Sequence, residues 1–123
     1  MDSFPSLSIR VDLGPGIRIG PGKMRLLELI AETGSISAAG RALAMSYRRA
    51  WLLVDEMNRT LPSPVIQAKP GGRSGGGAAL TSFGERLVVC YRAIEHDSET
   101  IARRRLAEIP ELASLRDEAG DPE

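Results

Sequence analysis

In Thr33-Gly-Ser-Ile-Ser-Ala-Ala-Gly-Arg-Ala-Leu-Ala-Met-Ser-Tyr-Arg-Arg-Ala-Trp51, two serines each stand before an apolar-periodic run. That is where a side-chain oxygen caps a helix, so Ser35 and Ser46 mark two helix starts. After Ser35, the residues Ile36, Ala39, Gly40 and Leu43 recur at i, i+3, i+4 and i+7, an apolar face of mostly small side chains. Small residues there let another helix cross at close range. After Ser46, residues 47–59 place Ala50, Leu53, Val54 and Met57 on one side. Each helix is too short to stand alone, so the two must pack together across a turn at Ala44-Met45. Two such helices, with Arg48 and Arg49 opening the second, have the build of a helix-turn-helix DNA reader.

Upstream, Leu7, Ile9, Val11 and Leu13 alternate with polar residues, Gly14-Pro15-Gly16 turns the chain, and Ile17-Arg18-Ile19 resumes the alternation. A β-hairpin is the economical reading. Residues 23–32 then space Leu26, Leu27, Leu29 and Ile30 as a helix, with Thr33-Gly34 as its stop. Downstream, Leu61-Pro-Ser-Pro64 breaks the helical pattern and residues 65–69 read as a strand. A loop over residues 70–77 with five glycines follows, and Ala78-Ala79-Leu80 returns as the partner strand. Ser82-Phe-Gly-Glu85 has capping-box spacing. Phe83, Leu87, Val88, Tyr91, Ile94 and Ile101 then stripe a long helix ending near Leu106. That stripe exceeds what a small domain can cover, which predicts that part of it meets a second subunit.

The element order predicts an α+β, mainly α fold: a winged helix-turn-helix with an N-terminal β-hairpin, a β-hairpin wing and a long C-terminal dimerisation helix. Residues 1–81 are expected to form the DNA-binding domain, 82–109 the dimerisation helix, and 110–123 a disordered acidic tail.

A chain of 123 residues has room for one ordinary domain. Its sixteen basic and sixteen acidic residues cancel, yet residues 1–80 carry ten Lys/Arg against six Asp/Glu, and residues 81–123 carry six against ten. The front is suited to a polyanion and the back is acidic. The single cysteine, Cys90, excludes an internal disulfide and suits a reducing cytoplasm; it reads as a small buried residue on a helix. No apolar run approaches the roughly eighteen residues of a membrane span, and residues 1–20 lack a signal-peptide pattern. A soluble, cytoplasmic protein is expected. His96 sits among Glu95, Asp97 and Glu99, a solvated helix face rather than a metal site. No nucleophile, base and orienter are grouped, so neither an enzyme nor a metal or cofactor is expected.

Helix stepping of about 100° per residue from Ala50 turns Arg48, Leu52, Asp55 and Arg59 away from the buried side, flanked by Arg49 and Glu56. Arg48 and Arg49 are expected to read bases, since a guanidinium fork matches guanine O6/N7. Asp55 and Arg59 are i, i+4 partners. Ser35 and Ser37, at the second helix start, and Lys69 and Arg73, on the wing, are expected to grip phosphate. Ser46, Tyr47 and Leu52 complete the expected contact set on double-stranded DNA, whereas Trp51 is expected in the core. Gly71-Gly-Arg-Ser-Gly-Gly-Gly77 lacks the Gly-Lys-Ser/Thr ending of a nucleotide loop and leads into a strand. Two rival readings remain: a small oxyanion-binding protein using that loop, and a winged-helix protein-interaction module without DNA affinity.

Gly34-Ser-Ile-Ser-Ala-Ala, Arg41-Ala-Leu43, Met45-Ser-Tyr-Arg48, Ala50-Trp51, Asp55, Met57-Asn58, the glycine-rich segment and Leu80-Thr81 with Gly84-Glu-Arg-Leu87 together resemble the N-terminal DNA-binding domain of ModE-type molybdate-responsive transcriptional regulators, which is related to the LysR type. The resemblance runs from about Leu7 to His96. It implies a homodimer on a palindromic operator, the helix after Ser46 in the major groove, the wing alongside, and a place in molybdate-related regulation. Relatives that sense molybdate carry a further β-rich oxyanion-binding region, whereas only a short acidic tail follows Ile109, so molybdate sensing through such a region is not expected of this sequence, and no small-molecule ligand is demonstrable from it. Gly40 and Ala44 are also exchanged relative to the family's usual small residue and turn glycine. Either Ala44 then adopts a left-handed conformation at about 1 kcal/mol or the turn is remodelled.

Overall fold

The computed structural model describes residues 4–69 and 77–115. An antiparallel hairpin of β1 (Val11–Gly14) and β2 (Ile17–Ile19) leads into α1 (Pro21–Thr33), α2 (Ile36–Ala42) and α3 (Tyr47–Thr60). A second antiparallel hairpin, β3 (Ile66–Lys69) with β4 (Gly77–Leu80), precedes α4 (Ser82–Leu106) and a 3-10 turn at Pro110–Leu112. This is the expected winged helix-turn-helix order. Ile9–Tyr91 form one compact unit, and the described residues of Met1–Ser8 and Arg92–Glu123 form another. Arg73 and the glycine-rich tip, like residues 116–123 of the acidic tail, lie outside the described residues.

Within Ile9–Tyr91 the core is centred on α1, where Met24, Leu26, Leu27 and Ile30 are fully buried. Ala39, Ala50, Val54, Met57, Val65 and Val88 pack around it. Tyr91, also fully buried, donates its hydroxyl to the Ile9 carbonyl, the partner a buried phenol needs. Gly34 ends α1 in a left-handed conformation (φ 73°), and its N–H donates to the Ile30 carbonyl. The next residue, Ser35, caps α2, accepting from the Ala38 N–H at 3.0 Å. Ser46 caps α3 in the same way, accepting from Arg49 N–H at 3.1 Å.

The turn between α2 and α3 is tight because one carbonyl serves it twice. Gly40 O accepts from the N–H groups of Leu43 and Met45 at 3.0 and 2.9 Å. Ala44, between them, has φ 57°, so of the two alternatives the chain adopts the left-handed turn. At the crossing, a Cβ added to Gly40 would lie 3.1 Å from Ala50 Cβ, so the glycine is what lets the two helices approach.

Three ties fix the wing root. Asn58, on the last turn of α3, accepts from Val65 N–H at 2.8 Å and donates to the Ile66 carbonyl at 3.2 Å. Thr81 donates its hydroxyl to the Pro64 carbonyl at 2.6 Å and accepts from Gly84 N–H at 2.9 Å. Ala78 N–H donates to the Gly34 carbonyl at 3.0 Å, joining β4 to the α1–α2 junction. Gly84 is required at its position, because a Cβ there would run into the Val65 carbonyl.

Four local expectations are corrected. The first strand begins at Val11 rather than near Leu7, and Leu7 and Leu13 are exposed. A bulge explains Leu13: Asp12 pairs Arg18 and Gly14 pairs Ile17, so Leu13 is the extra residue between two pairs. The cap of α4 is Thr81, one residue before the expected Ser82, since Thr81 receives the Gly84 N–H. Cys90 is exposed rather than buried, because about 200° of helix turn separates it from the buried Val88.

Replacing Ala44 by Gly should raise stability by about 1 kcal/mol in urea denaturation, whereas Ala44→Val should lower it; equal or inverted effects would contradict the left-handed turn. Asn58→Ala strands the N–H of buried Val65 and should cost about 1–3 kcal/mol. A loss below about 0.5 kcal/mol would show that this tie does not hold the wing root.

Candidate nucleic-acid interface

The exposed side of α3 is built by subtraction. Ala50, Val54 and Met57 face inward and lie within an arc of about 60° around the helix. What remains outward is Tyr47, Arg48, Arg49, Trp51, Leu52 and Arg59, all exposed. Ser46, Arg48, Arg49 and Leu52, with Leu53 and Glu56, line one shallow depression of about 360 Å³. Four of the expected contact residues are therefore brought together there. Tyr47 lies on the other flank of α3, beside Trp51.

Trp51 corrects an expectation. It is 44% exposed and not a core residue. The helix crossing is made by Ala50 against Gly40, and Trp51 is turned about 100° around α3 from that contact.

Electrostatics separate the two ends of α3. Asp55 pairs with Arg59 at 2.8 Å, the expected i, i+4 contact, and Glu56 lies 3.7 Å from Lys23 of α1. Both acids are thus matched by cations within the fold. Arg48 and Arg49 have no carboxylate partner among the described residues. Their charge remains free at the helix start, where the backbone N–H groups also point outward.

Ser35 and Ser37 stand at the start of α2, outside that depression. Ser35 Oγ is occupied as an acceptor by its capping bond, which leaves its hydroxyl proton for an outside acceptor. Ser37 Oγ accepts from Arg41 at 2.9 Å. Arg41, absent from the expected set, therefore adds an oriented cation to this helix. Lys69 closes β3 opposite Gly77, exposed and without an ion-pair partner among the described residues. Asn58 is likewise absent from the expected set. It touches no solvent-facing partner and instead positions the wing relative to α3.

Among the described residues no three His, Cys, Asp or Glu side chains are grouped to hold a metal ion. No described helix is long and apolar enough to cross a membrane.

The sequence matches the family model for bacterial regulatory helix-turn-helix proteins of the lysR family over residues 22–85. It is 51% identical over 80 residues to the molybdenum-pterin-binding protein MopB of Rhodobacter capsulatus, covering 65% of this chain and 30% of that protein. It is 40% identical over 98 residues to the molybdenum transport protein ModE of Azotobacter vinelandii, covering 80% and 36%. Against the DNA-binding transcriptional dual regulator ModE of Escherichia coli K12 it is 39% identical over 71 residues, covering 58% and 27%. The chain spans about a third of the length of the curated relatives it matches. The crystal structure of a CbnR_DBD–DNA complex shares the fold, with a TM-score of 0.53 at 22% identity, covering 71% of this chain and 95% of that one. With more than half its length matched by the family model, the chain belongs to the lysR family of bacterial regulatory helix-turn-helix proteins.

Proposed function

We propose that the chain is a sequence-specific DNA-binding transcriptional regulator that inserts the start of α3 into the major groove. The observation that carries this reading is the free charge of Arg48 and Arg49 on the first turn of α3, while the acids behind them are matched inside the fold. A helix entering the groove with its N-terminal end leading would present the arginines to bases and keep Asp55 and Glu56 from repelling phosphate. Ser35, Ser37, Ser46 and Tyr47 would contact the flanking backbone, with Lys69 and Arg73 gripping phosphate from the wing. Relatives named for molybdenum transport and molybdenum-pterin binding support a place in molybdate-related regulation.

The regulator acts as a homodimer on a palindromic operator, joined through the later part of α4. Ile101 is 49% exposed and Leu106 39%, and Ile109 and Leu112 beyond the helix are exposed as well. Four large apolar residues along one short stretch favour burial against a second copy.

Arg48→Ala or Arg49→Ala should cost about 1–3 kcal/mol on an affinity-selected duplex and relax base preference. Lys69→Ala should instead weaken binding to all duplexes and lower the slope of log K against log salt by about 1. Gel shifts at two salt concentrations separate these outcomes, and equal losses on selected and random DNA for all three variants would refute the assignment. In sedimentation equilibrium the wild-type chain should be dimeric, and Ile101→Glu with Leu106→Glu should make it monomeric. A wild-type monomer at micromolar concentration would refute the dimer.

A further inference from the structure

Tyr47, Trp51 and Leu52 are 57%, 44% and 46% exposed. Among the described residues of Ile9–Tyr91, the other exposed large apolar residues are Leu13, on the hairpin bulge, and Val89, on α4. Three of five therefore share one helix, in six successive residues that also carry both free arginines. Solubility and helix propensity give no reason to keep a Trp and a Leu uncovered there.

Their placement around α3 points to a ligand. Taking Ala50 as the inward direction, Arg48 projects at about 160°, Leu52 at about 200° and Trp51 at about 100°. Arg48 is thus bracketed by apolar surface, with Leu52 one turn further along on its own stripe. Asp55 and Glu56, which could otherwise sit beside these side chains as free charges, are held by Arg59 and Lys23. The surface next to the arginines is consequently apolar and electrically neutral. In the major groove the one apolar group on a base edge is the thymine C5 methyl.

We propose that Leu52 and Trp51 read thymine methyl groups, so that each half-site joins a guanine taken by Arg48 or Arg49 to a neighbouring thymine. The proposal rests on the DNA-reading function above and narrows it to a base composition. The arginines alone would accept a guanine in any context. The apolar pair makes the adjoining base pair matter, and it distinguishes thymine from cytosine, which carries no methyl and presents an amino group that these side chains cannot satisfy.

The test uses the whole wild-type chain and a duplex selected by affinity from a random library. Each thymine of that duplex is replaced in turn by deoxyuridine, which removes the methyl and leaves Watson–Crick pairing intact. At one or two thymines per half-site, next to a guanine, the replacement should weaken binding about three- to tenfold. At those positions the effect should fall below about twofold when measured with Leu52→Ala or Trp51→Ala. No thymine responding by more than about twofold, or a response undiminished in both variants, would overturn the proposal. A patch that serves a protein partner would give that first, flat result with selective DNA binding intact. Failure to enrich any sequence from the library would instead overturn the DNA-reading function itself, and this proposal with it.

Discussion

The contact of Gly40 with Ala50 is the constraint on which the rest of the structure depends. With a Cβ position on Gly40 only 3.1 Å from Ala50 Cβ, α2 and α3 approach at a distance that larger side chains would forbid. That approach brings the Gly40 carbonyl to the N–H groups of Leu43 and Met45 and holds Ala44 at φ 57°. The turn and the crossing define each other. Once Ala50 is the inward point of α3, helix geometry leaves Arg48, Arg49, Trp51 and Leu52 outside. An unusual feature of this pair is that the residue in the left-handed turn has a side chain while the crossing residue has none. The arrangement is consistent with close packing being worth more to the fold than relief of local backbone strain.

Around this pair the wing root is fixed by polar ties. The Asn58 amide bridges α3 to the start of β3, Thr81 joins the Pro64 carbonyl to the first turn of α4, and Gly34 receives the N–H of Ala78. Each tie satisfies a backbone group that would otherwise be left without a partner at an element end. Their combined effect is that the start of α3 and the strand ending at Lys69 are set on one framework, so two sources of positive charge keep a fixed spacing. A reader whose arginines and wing were separately mobile would lose much of its affinity in ordering them.

Much of this was legible in the sequence. Ser35 and Ser46 marked both helix starts, Gly34 marked a stop, and the small residues at 39, 40 and 50 announced a close crossing. These features are local and periodic, so they survive without knowledge of neighbours. What escaped depended on neighbours. Trp51 has the chemistry of a core residue, but whether its flank of α3 is covered depends on which other elements reach it, and it is left exposed. Leu13 followed a strict alternation until a bulge removed it from pairing. The role of Asn58 rests on the position of β3, which no periodicity in α3 reveals. Thr81 and Ser82 are both plausible caps by type, and only the path of the chain from Val65 selects Thr81, which meets the Pro64 carbonyl.

The picture that emerges is a helix whose front turn carries free positive charge and apolar surface, while its rear is electrically closed. Such a division is suited to reading a groove floor and of little use for holding phosphates alone. The most direct measurement of this claim is the ratio of affinities for a selected duplex and a scrambled one of equal length, taken at two salt concentrations. A base-reading α3 predicts a ratio on the order of 10³ that persists at the higher salt while both affinities fall. A ratio near one at both concentrations would contradict it.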